Sequence, residues 1–380
     1  MMRVAIKPEL FRWARIRADM QPDSLAQRFP KYREWESGDV QPTLKQLEAF
    51  AKKTHAPIGY FFLSEPPNEP FPIPDFRTIG SSPIGRPNPD LLDTIYLCQQ
   101  RQEWYRDFSR IEGEEPLPFV GSARLAEDVE VAAARIRNAL EFDLKERATL
   151  GNWVDALRRF ISLADALGVL VMVNGVVGNN THRKLDPHEF RGFALVDDLA
   201  PLVFINGADT KAAQMFTLAH ELVHIWLGQT ALSDSHPTSV PSHETESWCN
   251  RVAAELLVPL GVLREEYRRG EEISAALARL ARQFKVSTLV ILRRIYDIGG
   301  LSRDQLNQAY ADELKRLKNI PRGSGGNFYA TQGVRVGDRF ARAVVTSTLE
   351  GQTLYRDAFR LLGFSKLETF HKFADGLDVN

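Results

Sequence analysis

Cysteine is scarce in this chain: two in 380 residues, Cys98 and Cys249, with no Cys-x-x-Cys pair. That argues against a disulfide framework and suits a reducing compartment. Long apolar runs are missing as well. None approaches the roughly 18 residues that a membrane-spanning helix needs, and the opening MMRVAIKPELFRWARIRADM lacks the continuous apolar core of a signal peptide. The expectation is a soluble, cytoplasmic protein without membrane attachment. Charge of one sign is also lacking: 48 Lys and Arg against 49 Asp and Glu leave a formal net charge of -1. Nothing therefore draws the whole molecule to nucleic acid, although a local basic face remains compatible with that balance. Internal repeats and low-complexity tracts are absent too. What is present is ordinary globular composition, 44% hydrophobic and 26% charged, in a chain long enough for two or three domains.

One short run constrains the chemistry more than anything else. His220, Glu221 and His224 form an HExxH motif inside LAHELVH. Four residues turn an α-helix by about 400°, which leaves the two imidazoles roughly 40° apart on one face and about 6 Å apart along the axis. Both reach a single metal ion. Zinc accepts neutral imidazole nitrogens and carboxylate oxygens, and a catalytic site keeps a position open for water. Glu221, next to the first histidine, is placed to take that water's proton without being a ligand. Phe216, Leu218, Ala219, Leu222, Val223, Ile225 and Trp226 make the helix apolar over most of its circumference, and Gly228 supplies a C-terminal stop. This is the pattern of an active-site helix inside a domain core, with Zn2+ as the expected cofactor.

Two histidines are too few for a catalytic zinc site. Downstream, PSHETESWCNRVAAELLVP offers His243, Glu244, Glu246 and Glu255 as further donors. From Thr245 the segment has helical periodicity, with Pro259 as its end. Glu246 and Asn250 share one face; the small residues Cys249 and Ala253 share the neighbouring one, which lets this helix lie close to the metal helix. Spacing alone leaves the third ligand open.

FTLAHELVHIWLG, followed by ExxxN and AAELLVP, resembles the ImmA/IrrE-type metallopeptidases, soluble bacterial proteases distantly similar to thermolysin. The resemblance implies that Glu246, four residues before Asn250, is the third zinc ligand. It extends upstream to DPHEFRGFALVDDLAPLVFIN, whose apolar content and Asp197-Asp198 turn independently suggest a hairpin ahead of the metal helix. Arg191 and Glu189 lie in this stretch as candidates for orienting substrate. His236, His243, Tyr329 and Arg191 are candidates for a second oxyanion donor.

The N-terminal region reads as short helices over Pro8–Ala18, Pro22–Phe29, a piece around Tyr32–Glu36, and Thr43–Thr54. LAQRF and WESGDVQPTLKQLEAFAKK resemble the helix-turn-helix domains of Xre-type repressors. Only eight residues separate Ala26 from Trp35, about one helical turn fewer than that pattern normally has, so the reading helix should be short. Arg28, Lys31 and Arg33 are candidate DNA contacts through phosphates, which position a protein without specifying a base. A degenerate module used for protein contact or autoregulation is the other reading.

The expected fold class is α+β, mostly helical. It comprises an Xre-like helix-turn-helix domain at 1–64 and a Pro-rich linker or strap at 65–90, ordered by resemblance to the family's PIPDFRT wording. A metallopeptidase domain with a small sheet follows at 91–265, and a C-terminal helical domain at 266–380. Within the last, ISAALARLARQFKVSTLVILRRIYDIG suggests a second helix-turn-helix-like unit with Arg293 and Arg294 exposed, and helical patterning runs on to Leu362-Gly363. The resemblance implies a zinc endopeptidase whose partner is a protein substrate, a regulator such as a repressor or antitoxin. The alternative is a transcriptional regulator or antitoxin that binds DNA or a toxin and keeps the metal site without proteolysis. The complete HExxH favours the enzyme, because a purely structural site has no use for Glu221.

Overall fold

Proline and small polar caps punctuate the N-terminal helices. In the computed structural model, which describes residues 3–75, 78–79, 82–83, 87–233, 244–318 and 328–377, Pro8 and Pro22 open α1 (Pro8–Arg17) and α2 (Pro22–Arg28). At the first helical position a missing N–H costs nothing. α3 (Tyr32–Ser37) is six residues long and ends at Gly38 with φ 88°, a left-handed cap that only glycine adopts freely. α4 (Leu44–Thr54) starts from a capping box between Thr43 and Gln46. A 3-10 turn follows at Ile58–Phe62. Phe11, Trp35, Phe50 and Phe61 meet in the core of this region with ring centroids 5.4–6.1 Å apart. Its helices agree with the expected ones to within a residue or two.

The chain divides into two units, Met1–Pro72 with Ile84–Tyr96, and Ile73–Pro83 with Leu97–Asn380. The second contains the hairpin β1 (Thr78–Ile79) and β2 (Ser82–Pro83), and α5 (Pro89–Ile111) from Leu97 onward. α6 (Val129–Ala139), α7 (Leu144–Thr149) and α8 (Trp153–Ala166) are N-capped by the side chains of Asp128, Asp143 and Asn152. The chain then forms β3 (Leu170–Asn174), a small ribbon of β4 (Val176–Val177) and β5 (Asn180–Lys184), and the pair β6 (Gly192–Leu195) and β7 (Leu202–Asn206). Next come α9 (Lys211–Leu227) and β8 (Ala231–Ser233).

Strand order in the main sheet is β3-β7-β6-β8. β3 runs parallel to β7, and β6 pairs antiparallel with both β7 and β8. Every residue of β3, β6 and β7 is buried, as strands covered on both faces must be. The antiparallel β6–β7 pair is the hairpin expected from the sequence, and Asp197 tightens its turn by accepting the Leu199 and Ala200 amides. Within the same unit, Asp75 bridges Leu232 in parallel fashion and the Leu232 N–H donates to Pro74 at 2.9 Å. Pro74 and Asp75 of the Pro-rich segment are thus tied to the outer edge of β8.

α9 packs on β6 and β7, and the remaining chain is helical: α10 (Glu244–Leu257), α11 (Leu260–Glu266), α12 (Ile273–Phe284), α13 (Thr288–Asp297), α14 (Arg303–Lys318), α15 (Phe328–Val336), α16 (Asp338–Leu349), α17 (Tyr355–Leu362) and α18 (Leu367–Asp375). Helices therefore continue past Gly363, which caps α17 in the left-handed conformation. Arg294 departs from expectation. It is 4% exposed and bonded to the Glu255 carboxylate. In the adjacent pair Arg293-Arg294 periodicity does not say which side chain turns inward; a buried carboxylate 39 residues away decides it.

Candidate metal centre

α9 is buried on all sides from Gln214 to Trp226, so any polar group it carries there must find partners away from water. His220 and His224 are wholly buried, one turn apart, with their Nε2 atoms 3.1 Å from each other. α10 brings Glu246, 3% exposed, to the same point: Oε2 lies 3.2 Å from His220 Nε2 and Oε1 lies 3.1 Å from His224 Nε2. Among the described residues these three form a group able to hold a metal ion.

The donor set fits zinc. Ligands about 2.0–2.1 Å from a tetrahedral ion stand about 3.3 Å from one another, close to the separations found here. Protonation states agree with this. Burial disfavours the imidazolium and holds His224 below its ordinary pKa, against the pull of Glu246. For Glu246, burial would raise the pKa, but the neighbouring His220 and His224 outweigh it and hold the carboxyl well below the usual range. A neutral His224 imidazole and an ionised Glu246 carboxylate are ligand forms.

Three further features surround the cluster. Glu221 is completely buried on the same turn as His220. Gly192 of β6 passes directly over that turn: a Cβ there would lie 2.6 Å from Thr217 Cγ2, 2.8 Å from the Phe204 carbonyl oxygen and 3.2 Å from Glu221 Cγ. A glycine inside an otherwise bulky strand signals such close approach; the sequence reading did not draw on it. Cys249 Sγ lies 3.9 Å from His224 Nδ1, on the nitrogen facing away from the cluster. Burial, followed by the charges of Glu246 and Glu221, pushes its thiol well above the usual value, so it stays protonated and neighbours the ligand without replacing it.

The other candidates fall elsewhere. Glu244 is exposed at the start of α10. Glu255 is buried at the far end of that helix beside Arg294. Arg191 pairs with Asp209 at 2.7 Å. His236, His243 and the side chain of Tyr329 lie outside the described residues. In the N-terminal unit Arg28, Lys31 and Arg33 are exposed, and Arg33 is ion-paired with Asp23. A cavity of about 460 Å3 opens between α8, β3, the start of α9 and α16. None of the four centre residues lines it.

A buried His–His–Glu cluster on two packed helices is a metal-binding class of site, and residues 164–296, which carry it, match the family described as the IrrE N-terminal-like domain. Residues 336–376 match a domain family of unknown function. A particular relative is the radiation response metalloprotease IrrE of Deinococcus radiodurans, 38% identical over 91 residues. That match spans 23% of this chain and 28% of the relative. The match over residues 164–296 and the partial similarity to this metalloprotease support a metallopeptidase-type function. No helix among the described residues is long and apolar enough to cross a membrane.

Proposed function

We propose that this chain is a metal-dependent endopeptidase of the ImmA/IrrE type, with His220, His224 and Glu246 as zinc ligands and Glu221 as general base. The observation that carries the reading is the convergence of three side chains, whose donor atoms approach one another to 3.1–3.2 Å, beside a buried Glu221. Zinc, when bound, supplies Lewis acidity toward the scissile carbonyl and a water with its pKa lowered to about 7. Glu221 would take a proton from the attacking water as the water's oxygen bonds to the peptide carbon. The same carboxyl then delivers the proton to the amide nitrogen as the C–N bond breaks. Burial in a dry helix face keeps Glu221 fixed for both transfers. The substrate proposed is a regulatory protein, a repressor or antitoxin, cut at one place. The N-terminal unit, read as an Xre-like helix-turn-helix module, supports a regulatory setting, and Arg28 and Lys31 remain its candidate phosphate contacts.

The test is to incubate the zinc-loaded chain with proteins encoded beside its gene and to identify fragments by mass spectrometry, with Glu221→Gln in parallel. Cleavage should fall at least a hundredfold in the variant while zinc content is unchanged. Full cleavage by Glu221→Gln would remove Glu221 from the role assigned to it.

A further inference from the structure

Helix α10 delivers Glu246 near its first turn, yet its most heavily bonded part is the opposite end. The last four carbonyls of an α-helix lack intrahelical partners. Here the usual remedies are blocked: Pro259 has no N–H for the Glu255 carbonyl, and the Leu260 N–H is taken by the Glu255 side chain at 3.2 and 3.3 Å. Arginines from three separate elements fill the gap. Arg137 of α6 donates to the Glu255 and Leu256 carbonyls at 2.8 and 3.3 Å. Arg147 of α7 donates to the Leu257 carbonyl, and Arg294 of α13 donates to the Val258 carbonyl at 2.9 Å and to the Glu255 carboxylate.

Stability alone does not account for this arrangement. Arg147 is 1% exposed, two of its nitrogens are buried without partners, and its cation lies 4.8 Å from the Phe142 ring centre. Burial, and then the like charge of Arg137, lower its pKa to about 9. Buried cations of this kind cost desolvation energy that apolar packing does not. What they supply is geometry. Successive carbonyls lie about 100° apart around a helix axis, so donors on the last three of α10, with a fourth on Val258 just beyond it, hold the helix end from more than one side. A glycine cap would satisfy the same oxygens while tying the helix only to itself. Slippage of α10 by one residue would turn Glu246 about 100° away from the histidines.

We infer that Arg137, Arg147 and Arg294 form a collar that fixes the rotation and axial position of α10, making them positioning residues for Glu246 at a distance of about 16 Å along the helix. The inference rests on the metal-centre reading and adds to it a control of ligand geometry by residues that touch neither metal nor substrate.

The experiment measures zinc affinity by competition with a chelating dye, and the visible absorption spectrum after cobalt substitution, for the full-length wild type and for Arg147→Met, Arg137→Met and Arg147→Lys. The two methionine variants should remain folded by circular dichroism. They should bind zinc about tenfold or more weakly, in the range seen when outer supports of metal ligands are lost, with an altered cobalt spectrum. Arg147→Lys keeps a donor but loses the planar guanidinium over Phe142, and should weaken zinc binding less than Arg147→Met does. Methionine variants with wild-type affinity and spectrum, whatever their melting temperature, would overturn the collar's role. Should Arg147→Met fail to fold, Arg137→Met decides the matter by the same readouts. A wild-type chain that takes up no zinc would instead refute the metal centre beneath the inference.

Discussion

Single atoms decide the chemistry proposed for this chain. At Glu246, replacing one carboxylate oxygen by an amide removes the anionic donor while leaving shape nearly unchanged. Glu246→Gln is expected to weaken zinc binding by two orders of magnitude or more in a dye-competition titration, with the fold retained by circular dichroism. At Gly192 the constraint is steric. A Cβ 2.6 Å from Thr217 Cγ2 and 2.8 Å from a backbone oxygen cannot be accommodated without moving β6. Gly192→Ala should lower unfolding free energy by about 1–3 kcal/mol in urea titrations. Thr217→Ser in the same background should recover part of the loss, because it removes one of the two clashing atoms. The sequence disclosed these residues unequally. His220, Glu221 and His224 were legible because four-residue spacing on a helix is a rigid statement about geometry. Glu246 was one of four donors within thirteen residues, and only the resemblance to a family selected it. Gly192 announced itself as a glycine among Phe, Ala and Leu in a strand, but what it approaches depends on packing against α9.

At the scale of elements, the contact between α8 and α16 carries a pH dependence. Asp165 Oδ2 accepts the Arg339 backbone N–H at 2.9 Å, which caps the start of α16, while its Oδ1 is buried without a partner. Burial is the main reason its pKa rises to about 6 from the usual 3.8. Since the folded value is above the unfolded one, the stabilising contribution is complete below about pH 3.8 and is lost as pH rises through about 6. Asp165→Asn should therefore gain stability relative to wild type on going from pH 5 to pH 8, by about 1.4 kcal/mol. Urea melts of both proteins at the two pH values check this; a constant difference between them would contradict it. The helices themselves were largely readable, since Pro8, Pro22, Thr43, Gly228 and Pro259 mark their ends by local rules. Arg294 was not. Its burial follows from the exhausted hydrogen bonding at the end of α10, a long-range demand that no window of α13 reveals.

For the whole molecule, two units and a metallopeptidase-like segment set the expectations. α3 has six residues, less than two turns, and as the proposed reading helix it would offer little surface to base edges. Binding of the full chain to its own upstream duplex and to a scrambled duplex should agree within about threefold at equal salt; preference for the natural sequence by a factor of about a thousand would favour the transcriptional alternative. The broad class, helical with a small mixed sheet, was accessible from periodicity and composition. The order β3-β7-β6-β8 was not, because pairing of β3 with β7 joins segments separated by three other strands and depends on the whole core.

The most direct measurement is anomalous X-ray diffraction at the zinc edge from crystals of the zinc-loaded wild-type chain. The account predicts one peak bonded to His220 Nε2, His224 Nε2 and a Glu246 carboxylate oxygen. A zinc-replete crystal with no peak there, or with the ion held by other donors while Glu246 stands apart, would contradict it.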